Sequence, residues 1–148
     1  MTRCVPSSAA AEPHVLLTDA GPLVALLDRS DPHHTSCRRV VDTLTEDLAT
    51  AWPALTEASH LLSFSWPCQR ARLEMLSSGV LRLLALDEGD VARIEQLMTK
   101  YRDVPMDLAD AALVRLAERD RLDRVFTIDR RNFSIYRAIR RGRLRIIP

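Results

Sequence analysis

Four acidic residues in this chain occupy positions from which they could serve one site: Asp19, Glu57, Asp110 and Asp129. Asp19 and Asp129 each end a short apolar run, whereas Glu57 and Asp110 lie within apolar stretches. An inward-facing carboxylate needs a positive partner, because burying an unpaired charge is costly. Four converging carboxylates would repel one another and would be stable together only around a cation.

Oxygen-only ligands select Mg²⁺ or Mn²⁺ rather than Zn²⁺. An ion of this kind can neutralise a phosphodiester, orient it and lower the pKa of an attacking water, while a spare carboxylate positions that water. The four acids therefore predict metal-dependent hydrolysis of a phosphodiester.

Each acid also has a simpler interpretation. An Asp between a strand and a helix is an ordinary N-cap, and for Asp19 or Asp129 taken singly we favour that role. Asp107 lies three residues before Asp110, so it could face the same edge of the sheet or could cap the helix. Asp110 is harder to explain structurally, because Asp is a poor residue within a helix. We treat Asp107 as auxiliary.

The apolar pattern predicts strands that alternate with helices, which is typical of an α/β fold with a mainly parallel sheet. The predicted strands cover residues 14–19, 48–52, 80–86, 124–129 and 144–147. The predicted helices cover residues 22–27, 31–47, 53–64, 67–78, 87–101 and 107–119. Ligands bind beyond the carboxyl ends of parallel strands, so Asp19 and Asp129 would reach the functional edge.

Composition indicates one domain and a reducing compartment. We predict that residues 14–148 form the domain and that residues 1–13 are a flexible extension. Hydrophobic residues make up 47% of the chain, enough for a sizeable core. The three Cys are odd in number and lack metal-ligand spacing, which fits the cytoplasm. No apolar run approaches the roughly 18 residues of a membrane span.

The charge is unevenly distributed, although the net charge is only +1. Residues 115–148 hold eleven Arg against four acids, so the remainder of the chain is acidic. This pattern indicates either a phosphate-rich partner or a solvated basic face. The Arg that could contact such a partner are Arg130, Arg131, Arg137, Arg140, Arg141, Arg143 and Arg145.

Three further side chains have both a functional and a structural interpretation. Trp52 and Trp66 could stack on nucleobases. With few other aromatic residues in the chain, packing is the favoured role. His60 follows Glu57 by three residues and could reach the site, but a place at the surface or core edge is favoured.

Four segments together resemble PIN-domain ribonucleases, and most closely the VapC toxins of bacterial toxin–antitoxin pairs. The segments are LLTDAGPLVALLD at 16–28, PALTEASHLL at 53–62, DLADAALVRLAER at 107–119 and VFTIDRRNF at 125–133. The resemblance covers roughly residues 14–148. It implies a PIN-like three-layer fold, with a central, mainly parallel sheet of four to five strands flanked by helices.

The resemblance places the four family acids on Asp19, Glu57, Asp110 and Asp129, with the first and third as the surest ligands of Mg²⁺ or Mn²⁺. It implies an endoribonuclease that cleaves tRNA, rRNA or mRNA, forms a homodimer and is neutralised by a VapB-like antitoxin. Arg130 and Arg131 would then lie nearest the scissile phosphate. Asp129 would act on the attacking water or support the ligands.

One departure from the family pattern bears on activity. Relatives commonly have Ser or Thr two residues after the first acid, where this chain has Gly21. Thr18 or Thr127 could supply the missing hydroxyl. The alternative is a PIN-fold module that binds nucleic acid or a partner with weak or no catalysis. A phospho-receiver domain is disfavoured, because it needs a late Lys and the only Lys is Lys100.

Overall fold

The computed structural model describes residues 14–139 and 142–148. The predicted extension at residues 1–13 lies outside the described residues, as do Arg140 and Arg141. The helices are α1 Ala20–Leu27, α2 His34–Thr43, α3 Trp52–Leu61, α4 Trp66–Ser77, α5 Glu88–Lys100, α6 Leu108–Arg119 and α7 Arg130–Ile135. The strands are β1 Val15–Thr18, β2 Asp47–Thr50, β3 Leu81–Leu83, β4 Arg124–Phe126, β5 Arg137–Ala138, β6 Gly142–Arg143 and β7 Arg145–Ile147.

The central sheet has five strands in the order β3-β2-β1-β4-β7, and every neighbouring pair is parallel. In the register, Leu17 of β1 lies beside Ala49 of β2 and Val125 of β4. The prediction of an α/β fold with a parallel sheet of four to five strands is confirmed. With β1 at its centre, the sheet brings the residues after β1 and β4 side by side.

Two apolar clusters cover the two faces of this sheet. Leu17 and Val125 belong to one cluster, and their chain neighbours Leu16 and Phe126 belong to the other. This alternation follows from the two-residue period of strand side chains. Because both faces are buried, these strands have continuous apolar runs rather than alternating ones, and the molecule has three layers.

Helix α6 is the most deeply buried helix near the sheet edge. Eight of its residues are buried, and its Ala-rich surface lets it pack closely against the sheet. Asp107 caps it, since its Oδ1 accepts a hydrogen bond of 2.9 Å from the backbone N–H of Asp110. The capping interpretation of Asp107 is therefore confirmed. The cap fixes the first turn of α6, in which Asp110 lies.

Several local predictions were wrong. Helix α2 ends at Thr43, because the chain must become extended before Asp47 enters β2. Helix α7 and the antiparallel pair β5–β6 were not predicted, since their short Arg-rich segments have no clear periodicity. No helix in the described part of the chain is long and apolar enough to cross a membrane.

The predicted packing of the two tryptophans was also wrong. Trp52 is 60% exposed and Trp66 is 66% exposed. Each starts a helix immediately before a Pro, and in the first turn of a surface helix the side chain can point away from the core. The core is filled by Leu, Ala, Phe and Tyr instead.

Candidate active site

Asp19 lies where β1 passes into α1, and its side chain is only 8% exposed. Its Oδ1 accepts a hydrogen bond of 2.8 Å from the backbone N–H of Ala20. Its Oδ2 accepts one of 2.8 Å from the hydroxyl of Thr127. Burial raises the pKa of Asp19, and the charges of Asp107 and Asp129 raise it further, against the lowering effect of the two hydrogen bonds. Asp19 is thus both an N-cap and a buried acid at the predicted edge.

Thr127 connects two of the predicted acids. Its hydroxyl donates to Asp19 and accepts a hydrogen bond of 3.0 Å from the backbone N–H of Asp129. The hydroxyl of Thr18 donates instead to the carbonyl of Leu16 at 3.1 Å. Thr18 and Thr127 were the two candidates for the hydroxyl that Gly21 lacks, and of these it is Thr127 that contacts Asp19.

Asp110 lies in the first turn of α6 and is 9% exposed. Its Oδ2 accepts a hydrogen bond of 2.9 Å from the hydroxyl of Tyr136. Burial, followed by the charge of Asp107, raises the pKa of Asp110 to about 7. The carboxyl is therefore costly to ionise where it lies, although Tyr136 stabilises the ionised form.

Glu57 and Asp107 lie at the exposed side of the site. They line a cavity of about 580 Å³ together with Trp52, Pro53 and His60. Partial burial raises the pKa of Glu57, and the charges of Asp19 and Asp107 raise it further. His60 lines the cavity beside Glu57 and is exposed, so the surface placement favoured from the sequence is confirmed.

Asp129 is exposed and caps α7. Its carboxylate accepts hydrogen bonds from Asn132, at 3.1 Å from the backbone N–H and at 2.9 Å from the side-chain amide. Its charge raises the pKa of both Asp19 and Tyr136. Asp129 therefore lies within electrostatic reach of the site while its carboxylate is engaged as a helix cap.

These acids form one electrostatic cluster. The charge of Asp19 raises the pKa of Asp110, and the charge of Asp107 raises the pKa of both. Over residues 14–139 and 142–148, however, no three His, Cys, Asp or Glu side chains are placed to hold a metal ion together.

The donor chemistry fits a hard divalent cation. The side chains that hydrogen-bond to the two buried acids are the hydroxyls of Thr127 and Tyr136, and the charges that raise their pKa values are those of other carboxylates. A cation would relieve this repulsion. Asp19 and Asp110 are the residues that could hold it, with water as a further ligand, since Mg²⁺ retains several waters in protein sites.

The predicted phosphate-binding arginines divide into two groups. Arg131, Arg143 and Arg145 are exposed. Arg130 is also exposed, and its guanidinium donates to the carbonyl of Pro148. Arg137 donates from Nη1 to three carbonyls at the end of α7, at 2.7 to 2.9 Å. Arg137 is thus engaged as a cap of α7 and Arg130 with the Pro148 carbonyl, whereas Arg131, Arg143 and Arg145 present exposed side chains.

Tyr136 was missed by sequence reasoning. It is fully buried and contacts Asp110 directly. A signal was present, because a Tyr among apolar residues near Phe133 indicates a buried phenol that requires a hydrogen-bond partner. The sequence offered no way to identify that partner, which is 26 residues away.

A family model described as the PIN domain matches residues 16–139, a range that contains all four predicted acids. The chain is 30% identical over 135 residues to Ribonuclease VapC26 of Mycobacterium tuberculosis, covering 90% of this chain and 100% of that protein.

Solved structures share the fold at low sequence identity. VapC20 of Mycobacterium tuberculosis, described as a toxin that cleaves the sarcin–ricin loop, superposes with a TM-score of 0.75 at 15% identity, covering 90% of this chain and 99% of that one. A toxin–antitoxin complex from Klebsiella pneumoniae has a chain with a TM-score of 0.65 at 16% identity, covering 90% and 96%. VapBC2 from Rickettsia felis, bound to promoter DNA, has one with a TM-score of 0.56 at 13% identity, covering 89% and 96%.

Proposed function

Because the chain belongs to the PIN-domain family and is related to a VapC ribonuclease, we propose that it is a metal-dependent endoribonuclease toxin. The observation that carries the proposal is the pair of buried carboxyls, Asp19 and Asp110, which share one electrostatic cluster. Buried acids with raised pKa values at the functional edge of a parallel sheet indicate a site built for a ligand rather than for stability.

We propose that Asp19 and Asp110 bind Mg²⁺, or Mn²⁺ in its place, and that Glu57 and Asp129 complete the site. The bound ion would supply charge neutralisation at the phosphodiester and a water of lowered pKa. Thr127 holds the Asp19 carboxylate in place through its hydroxyl. Glu57, exposed at the cavity with a raised pKa, is suited to position the attacking water and to accept its proton. Asp107 caps α6 and adds negative charge.

We propose RNA as the substrate, in a single-stranded or loop region. The related protein of Mycobacterium tuberculosis is named a ribonuclease, and the structural neighbour VapC20 is described as cleaving an RNA loop. Exposed Arg130 and Arg131 directly follow Asp129 and can bind phosphates beside the acids.

We further propose a VapB-like antitoxin as a partner. Helices α3 and α4 and the turn between them carry four exposed apolar side chains, Leu61, Phe64, Trp66 and Leu73, each at least 46% exposed. Exposed apolar patches mark protein-binding surfaces, and we propose that these side chains form one. Two of the structural neighbours are toxin–antitoxin assemblies, which supports an antitoxin as its occupant.

A homodimer and a cytoplasmic location are the remaining parts of the proposal. The described thiols, Cys37 and Cys68, are both free, which fits a reducing compartment. Sedimentation velocity of the chain alone and with its antitoxin would establish the oligomeric state of each form.

A non-catalytic binding module is a second candidate. It is favoured by one observation: in the described part of the chain, no three potential ligands are placed to hold an ion together. The two candidates differ in their response to metal. A nuclease should be stabilised by millimolar Mg²⁺ or Mn²⁺ in thermal melts, whereas the module should not.

An RNA cleavage assay tests the proposed activity. Asp19→Asn and Asp110→Asn should each lower cleavage by about 100-fold or more, because each removes a charged ligand. Glu74→Gln is the matched control, since Glu74 is an exposed acid that pairs with Arg70 on the surface of α4. Chelation by EDTA should abolish cleavage by the unmodified protein. Cleavage that survives both Asn substitutions would refute the proposal.

A further inference from the structure

We propose that Tyr136 is a positioning residue that fixes the Asp110 carboxylate for cation binding. The inference rests on the proposed function, because it assumes that Asp110 is a metal ligand. Tyr136 is not one of the four acids and lies in the segment that follows Asp129.

The contact itself is direct and buried. The hydroxyl of Tyr136 donates to Asp110 Oδ2 at 2.9 Å, and the Tyr136 side chain has no exposed surface. A hydrogen bond to an ionised acceptor is stronger than one between neutral groups. It also has a direction, because the carboxylate can only accept, so the phenol must orient towards Oδ2.

The Tyr136 ring is itself held on two sides. It packs edge-on against Tyr101, with ring centroids 5.1 Å apart, and against Phe133, at 5.2 Å. These distances and the steep interplanar angles are those that aromatic pairs prefer. The phenol oxygen is therefore a fixed point rather than the end of a mobile side chain.

The backbone around Tyr136 is fixed as well. Its N–H donates to the carbonyl of Asn132 at the end of α7, and the N–H of the next residue, Arg137, donates to the hydroxyl of Tyr101 at 3.0 Å. Asp129 is the N-cap of helix α7 and Tyr136 is its C-cap. One short segment thus carries Asp129 at one end and, at the other, Tyr136, whose hydroxyl contacts Asp110.

The consequence for Asp110 is a carboxylate with a set orientation. Tyr136 holds Oδ2, and the backbone of Asp110 is held by the bond from its N–H to Asp107. A cation then binds a carboxylate that need not lose rotational freedom. Loss of a hydrogen-bond partner of this kind typically weakens metal binding by about 10- to 100-fold.

Calorimetric titration with Mn²⁺ tests the inference. Tyr136→Phe removes the hydroxyl and keeps the ring, and it should weaken Mn²⁺ binding by about 10-fold. Ser134→Ala is the matched control, because it removes a hydroxyl from the same segment that donates to the backbone carbonyl of Arg131 rather than to an acid. The control should change Mn²⁺ affinity by less than about 2-fold. Equal affinity in the unmodified protein and Tyr136→Phe would overturn the inference, as would equal losses in the two variants.

A second measurement applies even if Tyr136→Phe fails to fold. The chain has two Tyr residues, so protein labelled with 3-fluorotyrosine gives two ¹⁹F resonances, and Tyr101→Phe identifies the one from Tyr136. Titration with diamagnetic Mg²⁺ should shift that resonance and saturate at the concentration found by calorimetry. A resonance that stays unchanged while calorimetry records binding would overturn the inference. If the unmodified protein binds neither ion, the proposed function fails first.

Discussion

Asp90 and Asp110 are two buried carboxylates that lie near opposite ends of α6 and have opposite electrostatic surroundings. Asp90 of α5, near the C-terminal end of α6, is 2% exposed and accepts hydrogen bonds from Arg115 at 2.7 Å and Arg119 at 2.8 Å. Burial alone would raise the pKa of Asp90, but hydrogen bonds from the backbone of Asp87 and from Arg115, with the charges of both Arg, lower it overall. Asp110, near the N-terminal end, is similarly buried and has acids for neighbours.

The difference separates a structural carboxylate from a ligand-binding one. A buried carboxylate that is already paired with cationic side chains, such as Asp90, stabilises the packing of α5 on α6 and needs no further partner. A buried carboxyl group without a cationic partner either stays protonated or binds a cation from solution. The Asp110 end is therefore the end at which binding can occur. Two predictions compare Asp110 with Asp90, and two more concern the groups beside Asp19.

The largest expected effect is a pH dependence of stability without metal. The pKa of Asp110 is about 7 in the folded protein and 3.8 as its ordinary value. Between pH 4 and 7 the Asp110 carboxyl is protonated in the folded protein and ionised in the unfolded chain. The free energy of unfolding should therefore fall as pH rises from about 4 to 7, by roughly 2 to 4 kcal/mol. The contribution of Asp90 has the opposite sign: present above about pH 4, it is lost on acidification because its folded pKa is lowered.

Urea unfolding in EDTA at several pH values measures this dependence. Asp110→Asn is the matched control, because it removes the titrating group and should flatten the fall between pH 4 and 7. Asp19, whose pKa is also raised, would leave a residual slope of the same sign. Identical pH profiles for the two proteins would contradict the assignment of the effect to Asp110.

A second prediction concerns stability at one pH. Asp90→Asn should destabilise the metal-free protein by about 2 to 3 kcal/mol at pH 7.5, because it leaves two partly buried Arg without their shared acceptor. Asp110→Asn should leave stability unchanged or increase it, since it removes repulsion. The contrast would be lost if both substitutions destabilised the protein equally in urea denaturation.

The third prediction concerns the hydroxyl beside Asp19. Thr127→Val should lower the RNA cleavage rate by about 10-fold, because Asp19 loses the donor that orients it. Thr18→Val is the control, since the Thr18 hydroxyl donates to the carbonyl of Leu16 rather than to an acid, and the cleavage rate of this variant should change by less than about 3-fold. A larger loss in Thr18→Val than in Thr127→Val would reverse the assignment.

The smallest expected effect follows restoration of a hydroxyl at position 21. A Cβ at Gly21 would lie 3.3 Å from the Cδ1 of Ile128, the end of a flexible side chain that can shift slightly. We expect Gly21→Ser to alter cleavage by less than about 3-fold, because Thr127 already bonds to Asp19. A gain of tenfold or more in single-turnover cleavage would instead show that the missing hydroxyl limits activity.

The central sheet was predictable because its strands have continuous apolar runs. Val15–Thr18 and Arg124–Phe126 follow this pattern, and both lie in the parallel sheet as expected. Helix α7 was not predictable, because its six residues are too few to show a period, and it depends on the Asp129 cap and on burial of Phe133. The predicted burial of Trp52 and Trp66 was wrong because hydrophobicity alone does not distinguish a core residue from an exposed one.

The sequence by itself determined the acidic residue types, their order and the strand–helix alternation that directs Asp19 towards one edge, because apolar periodicity is a local property of the chain. Only the tertiary structure decided that Thr127 rather than Thr18 bonds to Asp19, that Tyr136 holds Asp110, and that Asp90 has two cations while Asp110 has none in the described part of the chain. These contacts join residues up to 108 positions apart. Side-chain partners at such separations are set by how the layers pack, which no local pattern encodes.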